Sequence, residues 1–403
     1  MKENKKKKNV NGLHYIWYVC IIVGILVVCG VAIFALPKRA YSPTENRYLT
    51  TEVPLSVQEM LSGEVQRNLT ELSADQFPLR DSWVKLATIG QYLMYHREIN
   101  GVYLGKENYL FEKTVASDLS MENYRTNIGY VTAMAAQSPA DISVMLIPTP
   151  ATILQEYLPK RAVVYDPLPY EEQGMLLCEM DSVRWVQTRE ALERAHRDSL
   201  EPLYFCTDHH WTTNGAYIGA SVYLDTQHRT IKEKQAYEIA CVSEDFYGTL
   251  HSKVAGLPGK KPDTLEVPMA LPQDLVIETN GAPADALGAN GEKQMPELDG
   301  IYDRSKLDGK DKYAVYFGGN YGMLTVRNPQ MKDGGKLLLI KDSYANSMVP
   351  YLLESYAQIT MIDLRYYNES VPELATQDWD EILVCYEMSN FVRDRNLFKC
   401  IRN

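Results

Sequence analysis

The chain lacks what a metal protein, a disulfide scaffold or a nucleic-acid binder would need. Its seven cysteines form no C-x-x-C and no ligand-like spacing. Cys20 and Cys29 fall inside an apolar run, and Cys178, Cys206, Cys241, Cys385 and Cys400 are scattered over the rest. Thiols this sparse are no disulfide framework, and a domain of this length can be stabilised by its own core. Histidine is also scarce. Beyond His209-His210, the remaining His14, His96, His196, His228 and His251 supply no second ligand pair, so no metal is assigned, although a metal-dependent hydrolase built on Asp208-His209-His210 stands as a minor alternative. Positive charge is concentrated in the first eight residues, MKENKKKK, with five lysines and one glutamate. The net charge is −11, so the chain beyond that +4 segment carries −15. An acidic domain with no basic stripe excludes nucleic acid as a partner. Internal repeats and coiled-coil heptads are likewise missing.

One long apolar run is present, Tyr15 to Leu36, without a charged residue. About 20 apolar residues cross a bilayer as a helix. A cleaved secretory signal has a shorter core of roughly 7–15 residues and a small-residue exit site, whereas this run is longer and leads into Pro37-Lys38-Arg39. The sequence therefore predicts a cytoplasmic basic tail (1–14), an uncleaved transmembrane anchor (15–36) and everything beyond it outside the cytoplasm, because the lysine cluster stays inside.

Residues 37–100 read as a helical membrane-proximal lead-in. Leu61, Val65, Leu69 and Leu72 recur at helical spacing, a second helix is expected over Asp81 to Tyr95, and Asp75-Gln76-Phe77-Pro78-Leu79-Arg80 between them is a turn with internal ion pairs. From 101 to 403 strands alternate with helices, the pattern of an α/β domain with a parallel sheet. VYLGKENYLFE predicts a hairpin, Met121 to Gln137 a helix, DISVMLIPTP a buried strand and ATILQEYLP a short helix. Further on come a helix over Asp181 to Ser199, a strand over LYFCTDHHW and a helix over TTNGAYIGASVYLDT. Residues 256–310, rich in Pro, Gly, Asp and Lys, read as a loop-rich surface excursion that can hold short strands of its own. KYAVYFGGN, KLLLIKDS, QITMIDLRYY and DEILVCYEM are then expected as strands, with ANSMVPYLLESY as a helix.

Two clusters place polar groups at expected strand ends, the edge where open α/β sheets bind ligands. In Thr207-Asp208-His209-His210-Trp211, alternation in an extended segment puts Asp208 and His210 on one side and His209 on the other. The carboxylate can then orient the imidazole and stabilise it when it takes a proton. In Lys341-Asp342-Ser343-Tyr344-Ala345-Asn346, Ser343 sits where a strand turns into a helix, beside free N–H groups that can hold an oxyanion. Simple helix capping by Asp342 or Ser343 would use the same residue types. Together the clusters supply a nucleophile, Ser343, a base, His210, and an orienting carboxylate, Asp208. Arg365 and Asn390, at the ends of the last two strands, are candidate donors to an oxyanion or a substrate oxygen; Tyr344, Asn346 and Trp211 are further candidates. An ion pair with Asp363 and a turn role are the competing explanations for Arg365 and Asn390.

TDHHWTTNGAY, with ENRYL (45–49), SADQFPLRDSW (73–83), GVYLGKENYLFE (101–112), FYGTLHSK (246–253), YFGGN (316–320) and LLIKDSYANSMVPYLLESYAQITMIDLRYY, resembles the DHHW protein family. More remotely it is similar to SGNH-hydrolase-like proteins that O-acetylate alginate and related polysaccharides. In those, a D-x-H-W motif precedes the nucleophilic serine, the reverse of ordinary SGNH esterases, and Asp208, His210 and Ser343 fall on the three positions. The resemblance implies a three-layer SGNH-hydrolase-like fold with a parallel central sheet and permuted motif order. It departs at Lys341-Asp342, where Gly-Asp is usual, and at Met388-Ser389-Asn390, where no G-x-N-D is intact. The implied activity is an extracytoplasmic O-acetyltransferase or acetylesterase acting on a cell-envelope or exported polysaccharide. No bound cofactor is implied. The acetyl donor would come from a partner, a multi-spanning membrane O-acyltransferase. A tyrosine content of 28 against 8 phenylalanines suits sugar stacking. The alternative is a non-catalytic glycan-binding or envelope-assembly protein with the same fold.

Overall fold

The computed structural model describes residues 2–401, apart from 43, 46, 54–55, 282 and 284–297. The chain divides into two units, Met1–Gly90 and Gln91–Asn403.

The first unit opens with the helix Lys2–Ala35, of which Tyr15–Ala35 is long and apolar enough to cross a membrane. The segment after it folds back on the helices Glu64–Asp75 and Arg80–Leu93 through buried and half-buried charge. Arg47 grips Asp75 with both terminal nitrogens, at 3.1 and 2.5 Å, and the backbone N–H of Thr50 donates to the same carboxylate at 2.9 Å. Gln76 ties Arg39 from both backbone sides, accepting from its N–H at 2.9 Å and donating to its carbonyl at 3.0 Å. The ion pair inside the 75–80 turn is present, Arg80 Nε lying 3.7 Å from Asp75, but most of the turn's charge is spent outward on residues 39–50.

The second unit is built on seven strands: β1 Asp141–Ile147, β2 Arg184–Trp185, β3 Val276–Thr279, β4 Met323–Arg327, β5 Gly335–Lys341, β6 Tyr356–Ile362 and β7 Glu381–Glu387. Their order across the sheet is β3-β4-β6-β5-β7-β1-β2. The joins from β6 to β2 are parallel, and β4 and β3 add antiparallel pairs at one edge. Strands covered on both faces carry unbroken apolar runs, which is why LLLI and ILVCY show no polar alternation. Leu337 and Leu339 enter one core with Met145, Ala216, Ala220, Leu383 and Met348. Leu338 and Ile340 enter the other with Tyr124, Ile128, Val144, Val384 and Phe391. The fold is a three-layer α/β sandwich, as expected.

Several segments differ from the sequence expectation. LYFCTDHHW is no strand; residues 205–210 form a loop closed only by a bridge between Tyr204 and Trp211. The helix expected from Asp181 begins at Thr188, because Arg184–Trp185 is spent on the sheet edge, and Leu168–Met180 forms the preceding helix. KYAVYFGGN is a 3₁₀ turn, Lys312–Val315, followed by left-handed residues Phe317, Gly318 and Gly319 with φ of 62°, 77° and 131°. No strand continues through three positive φ values. ANSMVPYLLESY gives a 3₁₀ turn, Ser343–Ser347, and the short helix Val349–Leu352. The described part of 256–310 does hold short strands, as the sequence allowed, but they pair with the rest of the unit: β3 joins the sheet, and Asp263–Pro268 pairs with Ile239–Phe246.

Asp75→Asn is expected to destabilise the first unit by about 1–3 kcal/mol, because Arg47 and Thr50 lose the buried, charged acceptor that they share. Denaturant unfolding of the full chain in detergent measures this, with Glu64→Gln, on an exposed pair, as the unchanged control.

Candidate active site

All five parallel strands end at one edge, and the chain leaves β5 toward β6 on one side before returning to β7 on the other. Such a switch point opens a crevice at the carboxyl end of the central strand. Ser343 stands there, two residues past Lys341, the last of β5. It is partly exposed, whereas Asp342 and Tyr344 on either side are buried. Asp342 caps the turn, accepting from Tyr344 N–H at 3.0 Å, and its second oxygen accepts from Glu387 N–H at 3.0 Å and Asn390 Nδ2 at 2.8 Å. Capping and exposure of the serine are therefore two effects of one turn, with Asp342 as the cap.

The loop 205–210 reaches Ser343 from across the fold. His210 Nδ1 lies 2.6 Å from Asp208 Oδ1 and Nε2 lies 2.8 Å from Ser343 Oγ. A carboxylate only accepts, so Nδ1 carries the proton and donates to Asp208, and Nε2 accepts from the Ser343 hydroxyl. Asp208 and His210 are both buried. The Asp208 carboxylate also accepts from His210 N–H at 3.0 Å, Thr249 N–H at 2.7 Å and Thr249 Oγ1 at 3.1 Å. Burial would raise its pKa, but the charges of His209 and His210, the His210 hydrogen bond and the Thr249 N–H outweigh this and hold it below the ordinary carboxylate value.

His209 does not face away. Its ring centroid is 3.9 Å from that of His210, and Nδ1 donates at 2.6 Å to Thr249 Oγ1, whose own hydroxyl hydrogen donates to Asp208. Burial first, then His210, pushes the His209 imidazole down. Asp208, His209 and His210 bring three ligand-type atoms within 4.8 Å of one another. Protons already fill those seats: both Asp208 oxygens accept protein donors and both His210 nitrogens are bonded. The donor set fits a proton relay better than a cation.

A loop with no sheet ladder needs other anchors, and these come from residues that the sequence pattern did not single out. Asp263 accepts from Cys206 N–H, Thr207 N–H and Thr207 Oγ1 at 2.7, 2.8 and 2.6 Å. Gly248 packs so closely that a Cβ there would lie 2.2 Å from the Cβ of Asp208. Tyr313 stacks on the His210 ring at 3.8 Å and 10°, and its hydroxyl donates to Ser347 Oγ at 3.0 Å. FYGTLHSK and YFGGN (316–320) were visible as family-like blocks, but Tyr313 precedes the second of them and nothing in their spacing points to Asp208 or His210.

The other expected site residues are engaged elsewhere. Trp211 is fully buried, donating to Tyr344 O at 3.0 Å and Ser347 Oγ at 2.9 Å, which corrects the expectation that it meets substrate: it pins the histidine loop to the serine turn. Tyr344 is buried too, its hydroxyl on the carbonyl of His209. Asn346 Nδ2 donates to Asn320 Oδ1 at 3.2 Å, an acceptor shared with Lys341 Nζ at 2.7 Å. Arg365 is held by Asp363 at 2.6 and 2.9 Å, and Asn390 by Asp342. Glu387 adds a buried carboxyl behind Asp342. Burial first, and the Asp342 charge against the Ser389 and Asn390 donors, raises it to about 7.

A parallel-centred α/β sandwich with a Ser–His–Asp hydrogen-bonded chain at its switch point defines the class. The family profile described as DHHW protein matches residues 102–362, and the chain belongs to this family. No curated protein matches it. Among solved structures, a DHHW family protein from Eubacterium siraeum is 20% identical with a TM-score of 0.58, covering 76% of this chain and 96% of its own. Bacillus cereus PatB1 is 19% identical with a TM-score of 0.54, covering 74% and 98%; with a sulfonyl adduct the values are 21%, 0.52, 74% and 99%. These likenesses establish the fold.

Two outcomes are expected. Gly248→Ala displaces Asp208, so the low-field proton NMR signal of the His210 Nδ1–H is lost. Glu387 binds its proton more tightly folded than unfolded, so it makes stability fall as pH rises from about 4.3 to 7. Thermal melts from pH 5 to 8 should fall less steeply for Glu387→Gln than for the unaltered chain.

Proposed function

We propose that the protein is an O-acetyltransferase, or an acetylesterase, acting on a cell-envelope or exported polysaccharide outside the cytoplasm. The observation that carries this reading is the continuous chain from Ser343 Oγ through His210 to Asp208 at 2.8 and 2.6 Å, with Ser343 partly exposed. Ser343 Oγ attacks the acyl carbonyl while its proton moves to His210 Nε2. Asp208, held ionised, stabilises the imidazolium. As the tetrahedral centre collapses, the bond to the donor's oxygen breaks and His210 returns the proton to that oxygen. A sugar hydroxyl then attacks the acyl-serine, giving its proton to His210, and Ser343 leaves with that proton; water in place of the sugar makes the enzyme an esterase. Lys341 and Asn346, within three residues of Ser343 in sequence, converge on Asn320 in a buried polar group that supports a polar acceptor side.

The Tyr15–Ala35 helix anchors the protein with its lysine-rich end in the cytoplasm. Acetyl groups reach an enzyme outside from a cytoplasmic pool, so a multi-spanning membrane acyltransferase is the expected donor partner.

The test uses the full chain in detergent with a chromogenic acetyl ester and, separately, an aryl sulfonyl fluoride. Hydrolysis should fall at least ~10³-fold in Ser343→Ala and in His210→Ala, both remaining folded by circular dichroism. The sulfonyl group should add its mass to a Ser343 peptide, as PatB1 carries a sulfonyl adduct. Turnover indifferent to Ser343, with no labelling, would replace this reading with the glycan-binding one.

A further inference from the structure

The helix Arg80–Leu93 turns its apolar side outward. Thr88 is its buried residue and Asp81 faces the unit's interior partners, whereas Leu79 just before it, Trp83, Leu86 and Leu93 are 75%, 55%, 58% and 69% exposed. With Gly90 these positions recur at steps of four, three, four and three, a single stripe along the helix. Met94 and Tyr95, in the turn that follows the helix, are exposed as well. A contiguous apolar stripe of this kind is made for contact with another apolar phase.

The position of the helix in the chain identifies that phase. Arg39, three residues past the apolar run ending at Leu36, makes a two-pronged ion pair with Asp81 in the helix's first turn, at 2.9 and 3.2 Å. Ser42 Oγ donates to the same carboxylate at 3.1 Å, and Gln76 holds the Arg39 backbone on both sides. Three extended residues span at most ~10 Å. Arg39 thus lies within about that distance of the end of a segment able to cross a membrane, and its ion pair with Asp81 fastens the start of the helix to it. At that depth lies the headgroup–acyl boundary, where Trp, Tyr and Leu are favoured and basic side chains reach the headgroups. Trp83 lies on the stripe, with Arg80 and Lys85 close by in sequence and Tyr95 and Arg97 just past the helix.

We propose that the Leu79–Trp83–Leu86–Leu93 face of this helix lies in the lipid interface, so that the segment leading into the α/β unit is held at the membrane surface. The inference rests on the reading of Tyr15–Ala35 as a span. The full chain is reconstituted into phosphatidylcholine vesicles with bromine placed high on the acyl chains. Trp17, inside the span, is removed by Trp17→Phe, leaving Trp83 with the buried Trp211 and Trp379 and the half-buried Trp185. Brominated lipid should quench part of this emission, that part should vanish in Trp17→Phe/Trp83→Phe, and aqueous iodide should leave it untouched. A Trp83→Phe chain retains Trp17 and reports the span by itself. Trp83 open to iodide and indifferent to bromine, with Trp17 quenched, overturns the docking and keeps the span. Trp83 shielded from both quenchers means that protein covers the face, which also overturns it. Trp17 unquenched removes the span and the proposal together.

Discussion

The hydrogen bond from Ser343 to His210 joins residues 133 positions apart and survives only within a few tenths of an ångström of its best length. The two partners are held by different means. Ser343 inherits its position from β5, a central strand with parallel neighbours on both sides. His210 has no ladder to inherit from. Its loop is fixed by Asp263 beneath Cys206 and Thr207, by Thr249 beneath Asp208, by Ser347 beneath Trp211 and by the ring of Tyr313 over the imidazole. Ser347 Oγ serves both Trp211 and Tyr313, so one hydroxyl links the serine turn, the histidine loop and the 3₁₀ turn of Tyr313.

The same substitution of side chain for ladder recurs along that edge of the sheet. Asp208, Asp263, Asp342 and Glu387 are each buried or nearly so, and each accepts two backbone N–H groups that no strand could satisfy. Their charges are not alike. Asp208, facing two imidazoles, is held ionised, whereas burial raises Asp263, Asp342 and Glu387. Four acids can crowd one rim because Asp208 alone is held ionised by its donors while burial favours the protonated form of the other three.

What could be read in advance follows from which forces leave a periodic trace. β1, β5, β6 and β7 were legible because strands enclosed on both faces are continuous apolar runs ended by turn residues. Ser343, His210 and Asp208 were legible because their residue types and order match a chemistry. β2, β3 and β4 left little trace, since the sheet rim tolerates short and polar strands. The histidine loop was misread as a strand because LYFC has the composition of one; its backbone donors are claimed by Asp263, far away in sequence. KYAVYFGGN was misread for a local reason, three successive left-handed residues that end any extended run. Trp211 looked like a ligand contact because it adjoins the histidines, yet its indole is a structural donor.

The strand order also governs how the chain is made. β1 emerges early, but its long parallel partner is β7, the last strand of the sheet, and β5, which β7 also flanks, comes late as well. A partly synthesised chain therefore carries the apolar run of β1 with only the two-residue β2 to pair against it. Contacts this distant in sequence form slowly, and an unpaired apolar strand is open to association with other chains meanwhile. Folding of the sheet must wait until β7 has been made. Nascent-chain protection, rather than final stability, is then the property on which production of this protein most depends.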